Sequence, residues 1–322
     1  MKKVVSFMLV FVAIAYLTSC KGNSNSDSNV NVPDDYCEEL VILAENGNAI
    51  AQNNLGYSYF HGEGVAQSYT EAVKWYKKSA EQGYSFAQNN LGLCYQEGQG
   101  VNQSYTEAVK YFRKSAEQAN AEGQTCLGIC YLHGRGVEKS YEEAKKWFLK
   151  AASQGHAKAQ HNLGVMYIQG IGVTQSFTDG VEWFRKAAVQ GYAPSQVNLG
   201  LCYLDGKGVS QSLSEAQEWL NKAAEQGNAE AQAIMGQLYY NYEYYDDAIE
   251  RFLQAAMQGN EDGINAMNTW IREFAAQGNP TAQCAMGLFC KQRGITNEAI
   301  QWFTLSSQQG NKVATDELNK MK

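Results

Sequence analysis

A pattern of apolar and small residues recurs every 36 residues along the middle of the chain. In its first copy, Gln52, Leu55, Gly56 and Tyr59 follow the spacing i, i+3, i+4 and i+7. This spacing places them on one face of an α-helix. A glycine inside a helix costs about 1 kcal/mol relative to alanine, so its recurrence at one phase predicts a contact in which no side chain fits. The glycines of this phase are Gly56, Gly92, Gly128, Gly164, Gly200 and Gly236.

A glycine-rich loop and a second helix complete each unit. The loop reads Gly62-Glu63-Gly64-Val65 in the first unit and keeps the form Gly-x-Gly-Val in the next four. Its glycines are expected to supply the positive φ of a tight turn, since no strand precedes them and the third glycine of a dinucleotide site is missing. A serine followed three residues later by an acidic residue predicts the start of the second helix. We expect Ser176 and Asp179 to form a weaker capping box than the Ser–Glu pairs of the other repeats. The capping serines are Ser68, Ser104, Ser140, Ser176 and Ser212.

One helix pair cannot bury both of its sides, so successive pairs must stack on one another. Five consecutive units, over residues 48–227, share the pattern of glycine helix, glycine loop and aromatic second helix. This pattern resembles the Sel1-like repeat family, a relative of the tetratricopeptide repeats. The resemblance implies an all-α fold: a right-handed α-solenoid of stacked antiparallel helix pairs, with a tetratricopeptide-like superhelix. It also implies that the glycine helices line the concave surface and that the protein binds other proteins.

The chain is predicted to divide into four segments. Residues 1–19 read as a signal peptide, 20–35 as a polar flexible tether, 36–227 as a capping helix with five repeats, and 228–322 as degenerate units with a C-terminal capping helix. The Gly-x-Gly-Val loop is lost in the last segment. There, a single helix is expected within 260–278 around Trp270, and a last unit over 280–310.

The first twenty residues have the features of a targeting signal. Lys2 and Lys3 precede a short apolar stretch that is unsuited to a stable membrane span. The stretch ends in Leu17-Thr18-Ser19-Cys20, which resembles a bacterial lipobox, in which the cysteine thiol carries a diacylglyceryl group. The resemblance implies lipidation at Cys20 and a location in the bacterial cell envelope. Lys21 after the cysteine favours the outer membrane, with the chain facing the periplasm or the cell surface. The alternative is an ordinary signal peptide that is cleaved nearby.

The net charge of the chain bears on the kind of partner that it could bind. The chain has 26 Lys and Arg residues against 33 Asp and Glu, a net charge of −7, which argues against nucleic acid as a partner.

Cys94, Cys130 and Cys202 share one repeat phase, which predicts a packing position. Stacked helices lie about 8–10 Å apart, beyond the reach of a disulfide at about 7 Å. We therefore predict no disulfides, and the spacing of histidines and cysteines predicts neither a metal site nor a cofactor.

The main alternative function is that of a hydrolase directed at the cell wall or at β-lactams, since some bacterial relatives are reported to act on β-lactams. That chemistry usually needs the motifs S-x-x-K and K-T-G, and neither occurs in this sequence. Its carboxylates fall at helix caps and on exposed faces, and no convergent pair is predicted. No catalytic residue is therefore assigned, and the sequence predicts a non-enzymatic protein.

A polar surface is predicted on the glycine helices, opposite the face that carries Gln52 and Gly56. Asparagine donates and accepts hydrogen bonds, so it can hold an extended peptide backbone without reading its sequence. The predicted partner is a protein or peptide. The alternative is that these asparagines only satisfy a neighbouring turn. The candidate surface consists of Asn54, Asn90, Asn162 and Asn198, with Tyr57 and His161 beside them.

Overall fold

The structure is a computed structural model that describes residues 34–321. The predicted signal peptide, Cys20 and most of the predicted tether lie outside the described residues. The described residues form helices and turns without β-strands, which confirms the all-α solenoid class of the fold. Contacts divide the described residues into two compact units, the first ending at Trp183 and the second beginning at Phe184. This division falls inside a helix, whereas the boundary at 227 marks a change in the sequence pattern and stays a prediction.

The first unit contains a capping helix and the first repeats. The second helix of each repeat packs on the first, so that α2 pairs with α3, α4 with α5 and α6 with α7. Helix α9 begins in this unit and ends in the second. The helices are α1 (Asp34–Glu45), α2 (Ala49–His61), α3 (Tyr69–Glu81), α4 (Ser85–Glu97), α5 (Tyr105–Glu117), α6 (Ala121–His133), α7 (Tyr141–Ser153), α8 (Ala157–Gln169) and α9 (Phe177–Ala188).

The capping serines start the second helix of each repeat as predicted. Ser68 Oγ accepts a hydrogen bond from the backbone N–H of Glu71 at 3.3 Å. The backbone N–H of Ser68 is itself bonded to the carbonyl of Tyr59 at 2.8 Å, so the cap also ties the loop to the end of the preceding helix. The serine cap is also present in the fourth repeat, while the weaker closure expected of the Asp179 side chain stays a prediction. Asp179 N–H donates to Ser176 Oγ at 3.2 Å, because the backbone N–H makes this bond whatever the acidic side chain is.

In six repeats the glycine of the first helix lies under a large side chain of the second helix. A Cβ placed on Gly128 would lie 2.7 Å from Cε1 of Phe148, which is too close for a real contact. This confirms the predicted contact, and it shows that a ring fills most of the space left by the missing side chain. The same arrangement joins Gly56 to Tyr76, Gly92 to Phe112, Gly200 to Leu220, Gly236 to Phe252 and Gly287 to Phe303.

The second glycine of the loop packs on the preceding repeat. Gly100 has φ +74°, and a Cβ there would overlap the carbonyl oxygen of Tyr69 at the start of α3. Gly136 meets Tyr105 in the same way. The loops of the first unit therefore stack in register with the helices, and the glycines allow both the positive φ and the close approach.

A pair of glutamines joins three successive helices. Gln88 lies in α4 with 4% of its surface exposed. Its Nε2 donates to the carbonyl of Ala80 in α3 at 3.2 Å, and its Oε1 accepts from Nε2 of Gln118, just after α5, at 2.7 Å. The pairs of this kind are Gln52–Gln82, Gln88–Gln118, Gln124–Gln154, Gln196–Gln226, Gln232–Gln258 and Gln283–Gln309.

The second unit continues with helix pairs and ends in a short helix that packs on α17. The single helix expected within 260–278 is wrong, because two short helices meet there at Thr269, with φ −111° and ψ −108°. The Thr269 hydroxyl donates to the carbonyl of Asn265 at 2.7 Å, a side-chain bond that competes with regular helix geometry. The helices are α10 (Ala193–Asp205), α11 (Leu213–Glu225), α12 (Ala229–Asn241), α13 (Tyr245–Met257), α14 (Glu261–Asn268), α15 (Trp270–Ala276), α16 (Pro280–Gln292), α17 (Thr296–Gln308) and α18 (Lys312–Lys320).

Gly128→Ala tests the close contact with Phe148. In an open helix this change would stabilise by about 1 kcal/mol, but here we expect a net loss of about 1–3 kcal/mol through overpacking. Gly128→Leu should cost more. The measurement is the midpoint of urea unfolding, with Glu97→Ala at an exposed helix end as the control. A midpoint for Gly128→Ala at or above that of the wild type would contradict the contact.

Candidate binding surface

The glycine helices of the first two repeats share an open face. Its residues recur at i, i+4 and i+7 on the side of each helix that points away from the repeat glycine. Two of its apolar side chains are more than half exposed, at 55% for Ile50 and 56% for Phe86. The other members are half-exposed. We call this face the N-terminal stripe; it consists of Ile50, Asn54 and Tyr57 in α2, and Phe86, Asn90 and Leu93 in α4.

The asparagines of the stripe are linked across the two repeats. Asn90 Nδ2 donates to Oδ1 of Asn53 at 3.0 Å, and Asn53 Nδ2 donates to Oδ1 of Asn54 at 3.2 Å. Within the described residues these bonds leave Oδ1 of Asn90 and Nδ2 of Asn54 without a partner. The amides therefore hold one another in place and still present one acceptor and one donor. Both alternatives for these asparagines, a structural role and a binding role, are compatible with this geometry.

Aromatic rings lie at both ends of the stripe. Tyr57 lies against His61, one turn further along α2, with ring centroids 4.2 Å apart. Phe86 lies 5.5 Å from the ring of Tyr84. Contacts between rings restrict their rotation, so the apolar part of the stripe keeps a defined shape.

The other predicted surface residues lie elsewhere. Asn162 is fully buried and His161 is 2% exposed, so neither is part of an open surface. Neither amide atom of Asn162 has a hydrogen-bond partner within the described residues. Asn198 lies in α10 of the second unit and is half-exposed. The helical period predicts the direction of these side chains, but it does not give the depth to which neighbouring elements cover them.

A carboxylate, a histidine and a hydroxyl meet between the third and fourth repeats. Glu122 Oε2 lies 2.9 Å from Nε2 of His156, and Nδ1 of His156 lies 2.9 Å from Oγ1 of Thr125. The order of groups is that of a catalytic triad. However, Thr125 is fully buried, and its hydroxyl donates to the carbonyl of Ala121 at 2.8 Å. The hydroxyl can therefore not reach a substrate, and the cluster links the repeats.

The carboxyl group of Glu122 is held in its ionised form by its neighbours. Burial raises the pKa of Glu122, but the hydrogen bond from His156 and the charge of Lys158 outweigh burial and lower the pKa. Lys158 Nζ lies 3.7 Å from Oε1 of Glu122. A carboxylate held in its ionised form does not act as a general acid near neutral pH, so the cluster offers no hydrolytic chemistry.

The metal ligands, the apolar helices and the cysteines of residues 34–321 each bear on the kind of site that the fold could hold. No group of three or more His, Cys, Asp or Glu side chains is arranged to hold a metal ion within this range. Among the described helices, none combines the length and the apolar character that crossing a bilayer requires. The cysteines at the shared repeat phase, such as Cys94 and Cys202, are buried, and burial raises the pKa of each thiol to about 12. Thiols of this kind are packing groups and not nucleophiles.

Comparison with known proteins identifies the repeat. The Sel1 repeat model matches residues 49–84, 85–120, 121–156, 157–192, 193–228 and 280–311, about two thirds of the chain. A protective antigen of uropathogenic Escherichia coli strains, which displays an SLR fold, is 33% identical over 89% of this chain and 67% of its own, with a TM-score of 0.61. A Sel1 repeat protein from Oxalobacter formigenes is 32% identical over 69% of this chain and 90% of its own, with a TM-score of 0.64. No curated protein matches the chain.

His161→Asn tests the burial of this histidine through the pH dependence of stability. Burial lowers the pKa of His161 to about 3, whereas the unfolded chain binds the proton near the ordinary value of about 6.5. His161 therefore costs no stability above about pH 6.5. Below that pH the free energy of unfolding decreases, and this group alone lowers it by about 2 kcal/mol at about pH 5. Asn89 occupies the same repeat position as His161, so the variant should fold and lose this part of the pH dependence. Equal pH dependence of urea unfolding in both proteins would contradict the burial.

Proposed function

Since this chain belongs to the Sel1 repeat family, whose members generally mediate protein–protein interactions, we propose that it is a non-enzymatic, lipid-anchored scaffold in the bacterial cell envelope. In this proposal the N-terminal stripe binds a peptide segment of another protein. The observation that carries the proposal is the exposure of Ile50 and Phe86 beside the linked amides of Asn54 and Asn90.

The chemistry of the stripe suits an extended segment. Nδ2 of Asn54 can donate to a peptide carbonyl, and Oδ1 of Asn90 can accept from a peptide N–H, so both backbone groups of the partner are satisfied. Ile50, Phe86 and Leu93 provide apolar area for the side chains of the partner. Adjacent exposed apolar side chains with polar groups between them are typical of interaction surfaces.

The anchor is proposed from the sequence. The lipobox-like segment ends at Cys20, and the polar segment of 20–35 that follows could extend about 50 Å when stretched. Such a tether would let the repeats reach partners at a distance from the membrane. Stable anchoring needs more than one acyl chain, which a bacterial lipoprotein cysteine would provide. The proposed location is the outer membrane, facing the periplasm or the cell surface.

The hydrolase alternative has no support in the site geometry. In the arrangement of acid, histidine and hydroxyl described above, the hydroxyl of Thr125 is buried and bonded to a carbonyl. The scaffold proposal therefore stands without a second candidate function.

Asn54→Ala with Asn90→Ala tests the stripe. A photo-crosslinking residue at Phe86 should capture a discrete protein in cells, whereas one at the exposed Glu81 on α3 should not capture it. With the captured protein purified, the double variant should weaken its binding about tenfold, because each lost hydrogen bond contributes about 0.5–1.5 kcal/mol. The urea midpoint should change little. Unfolding of the double variant, with full affinity in the fraction that stays folded, would show that the asparagines are structural.

Cys20→Ala tests the anchor. Radiolabelled palmitate should enter the wild-type protein and not the variant, because the thiol is the proposed acceptor. The variant should remain unprocessed as a lipoprotein. A wild-type chain that incorporates no palmitate would contradict lipidation.

A further inference from the structure

The turn between α12 and α13 differs from the loops of the preceding repeats. Helix α12 ends at Asn241 and α13 begins at Tyr245, so three residues replace the glycine-rich loop. Tyr242 is 51% exposed and Tyr244 is 60% exposed. Exposed apolar side chains that lie close together, unlike singly scattered ones, are typical of interaction sites. We call residues 242–244 the Tyr-Glu-Tyr turn.

The middle residue of this turn adopts a conformation that favours glycine. Glu243 has φ +64°. The turn between α16 and α17 has the same geometry, since Ile295 there has φ −87° and ψ 66° and Tyr244 has φ −84° and ψ 68°. In that turn the left-handed position is occupied by Gly294, with φ +74°. Glutamate therefore occupies a position whose backbone conformation glycine would adopt at lower cost.

The helix ends on both sides of the turn are fixed by aromatic packing and by a backbone hydrogen bond. Tyr240 lies 4.7 Å from the ring of Trp270, and Tyr245 lies 5.0 Å from the ring of Phe274. The backbone N–H of Tyr244 donates to the carbonyl of Tyr239 at 3.0 Å. The exposed tyrosines are thus presented on a rigid base, which reduces the entropy lost when a partner binds.

The sequence that flanks the turn carries charge of one sign. Residues 226–250 contain five acidic residues and no Lys, Arg or His. Glu243, Asp246 and Asp247 are all exposed. The faces of tyrosine rings attract cations, and neighbouring carboxylates strengthen this attraction and repel anionic partners.

We propose that the Tyr-Glu-Tyr turn, with Asp246 and Asp247, is a second docking surface whose partner is a protein segment carrying arginine or lysine. Tyr242 and Tyr244 stack on the cationic side chains, and Glu243 pairs with them. This surface lies in the second unit and does not depend on the N-terminal stripe. It would let one chain hold two different protein segments.

The experiment measures binding of a fluorescent arginine–glycine repeat peptide to the full chain by anisotropy, with a glutamate–glycine peptide for comparison. Tyr242→Ala with Tyr244→Ala should weaken binding of the arginine peptide at least tenfold. Glu243→Gly should weaken it several-fold and at the same time raise the urea midpoint, because glycine relieves the left-handed backbone. Glu225→Gln, at the exposed end of α11, removes the same charge elsewhere and should leave affinity unchanged.

Three results would overturn the proposal. The first is wild-type affinity in the double tyrosine variant, and the second is an equal loss in Glu225→Gln and Glu243→Gly, which would indicate net charge alone. The third is equal binding of the arginine and glutamate peptides, which would indicate a partner that is not cationic. Asn54→Ala with Asn90→Ala should not change binding of this peptide, so the test is separate from that of the N-terminal stripe.

Discussion

The glutamine pair that recurs in six of the repeats is the interaction on which the rest of the structure depends. The buried glutamine of the first helix uses both ends of its amide, with Nε2 on the preceding helix and Oε1 on the glutamine after its own second helix. A buried amide that loses either partner is costly. The first helix can therefore neither rotate nor slide by a turn without leaving polar atoms unpaired. The contact of ring and glycine, as between Phe148 and Gly128, then sets the distance between the two helices.

This fixed orientation explains the candidate surface. Since the glutamine and the glycine hold one side of α2 and α4 against their partners, the opposite side of both helices faces the same way. Asn53 and Asn90, which lie in successive repeats, can then form a hydrogen bond of 3.0 Å. The N-terminal stripe is thus a consequence of the packing that stabilises the repeats. A scaffold gains from this arrangement, because a rigid surface loses little entropy on binding.

Much of the architecture could be predicted from the sequence, since a strict period repeats each local signal. The serine caps, the glycine contact and the stacking of helix pairs follow from spacing, and the resemblance to the repeat family adds the all-α solenoid. The partner glutamines at Gln82 and Gln118 were missed, although they recur at the same period. The break at Thr269 and the burial of Asn162 could not be predicted, because each depends on local backbone geometry or tertiary cover that periodicity does not encode.

Hydrogen exchange of the full chain carrying Gln88→Met tests the role of the glutamine pair most directly. Methionine keeps the volume of the side chain but removes the amide that bonds to Ala80 and Gln118. In stacked repeats, destabilisation spreads mainly to nearest neighbours. We therefore expect faster amide exchange in α3, α4 and α5, with unchanged exchange in α16 and α17. Exchange in α3 to α5 as slow as in the wild type would show that the glutamine pair does not hold the repeats together.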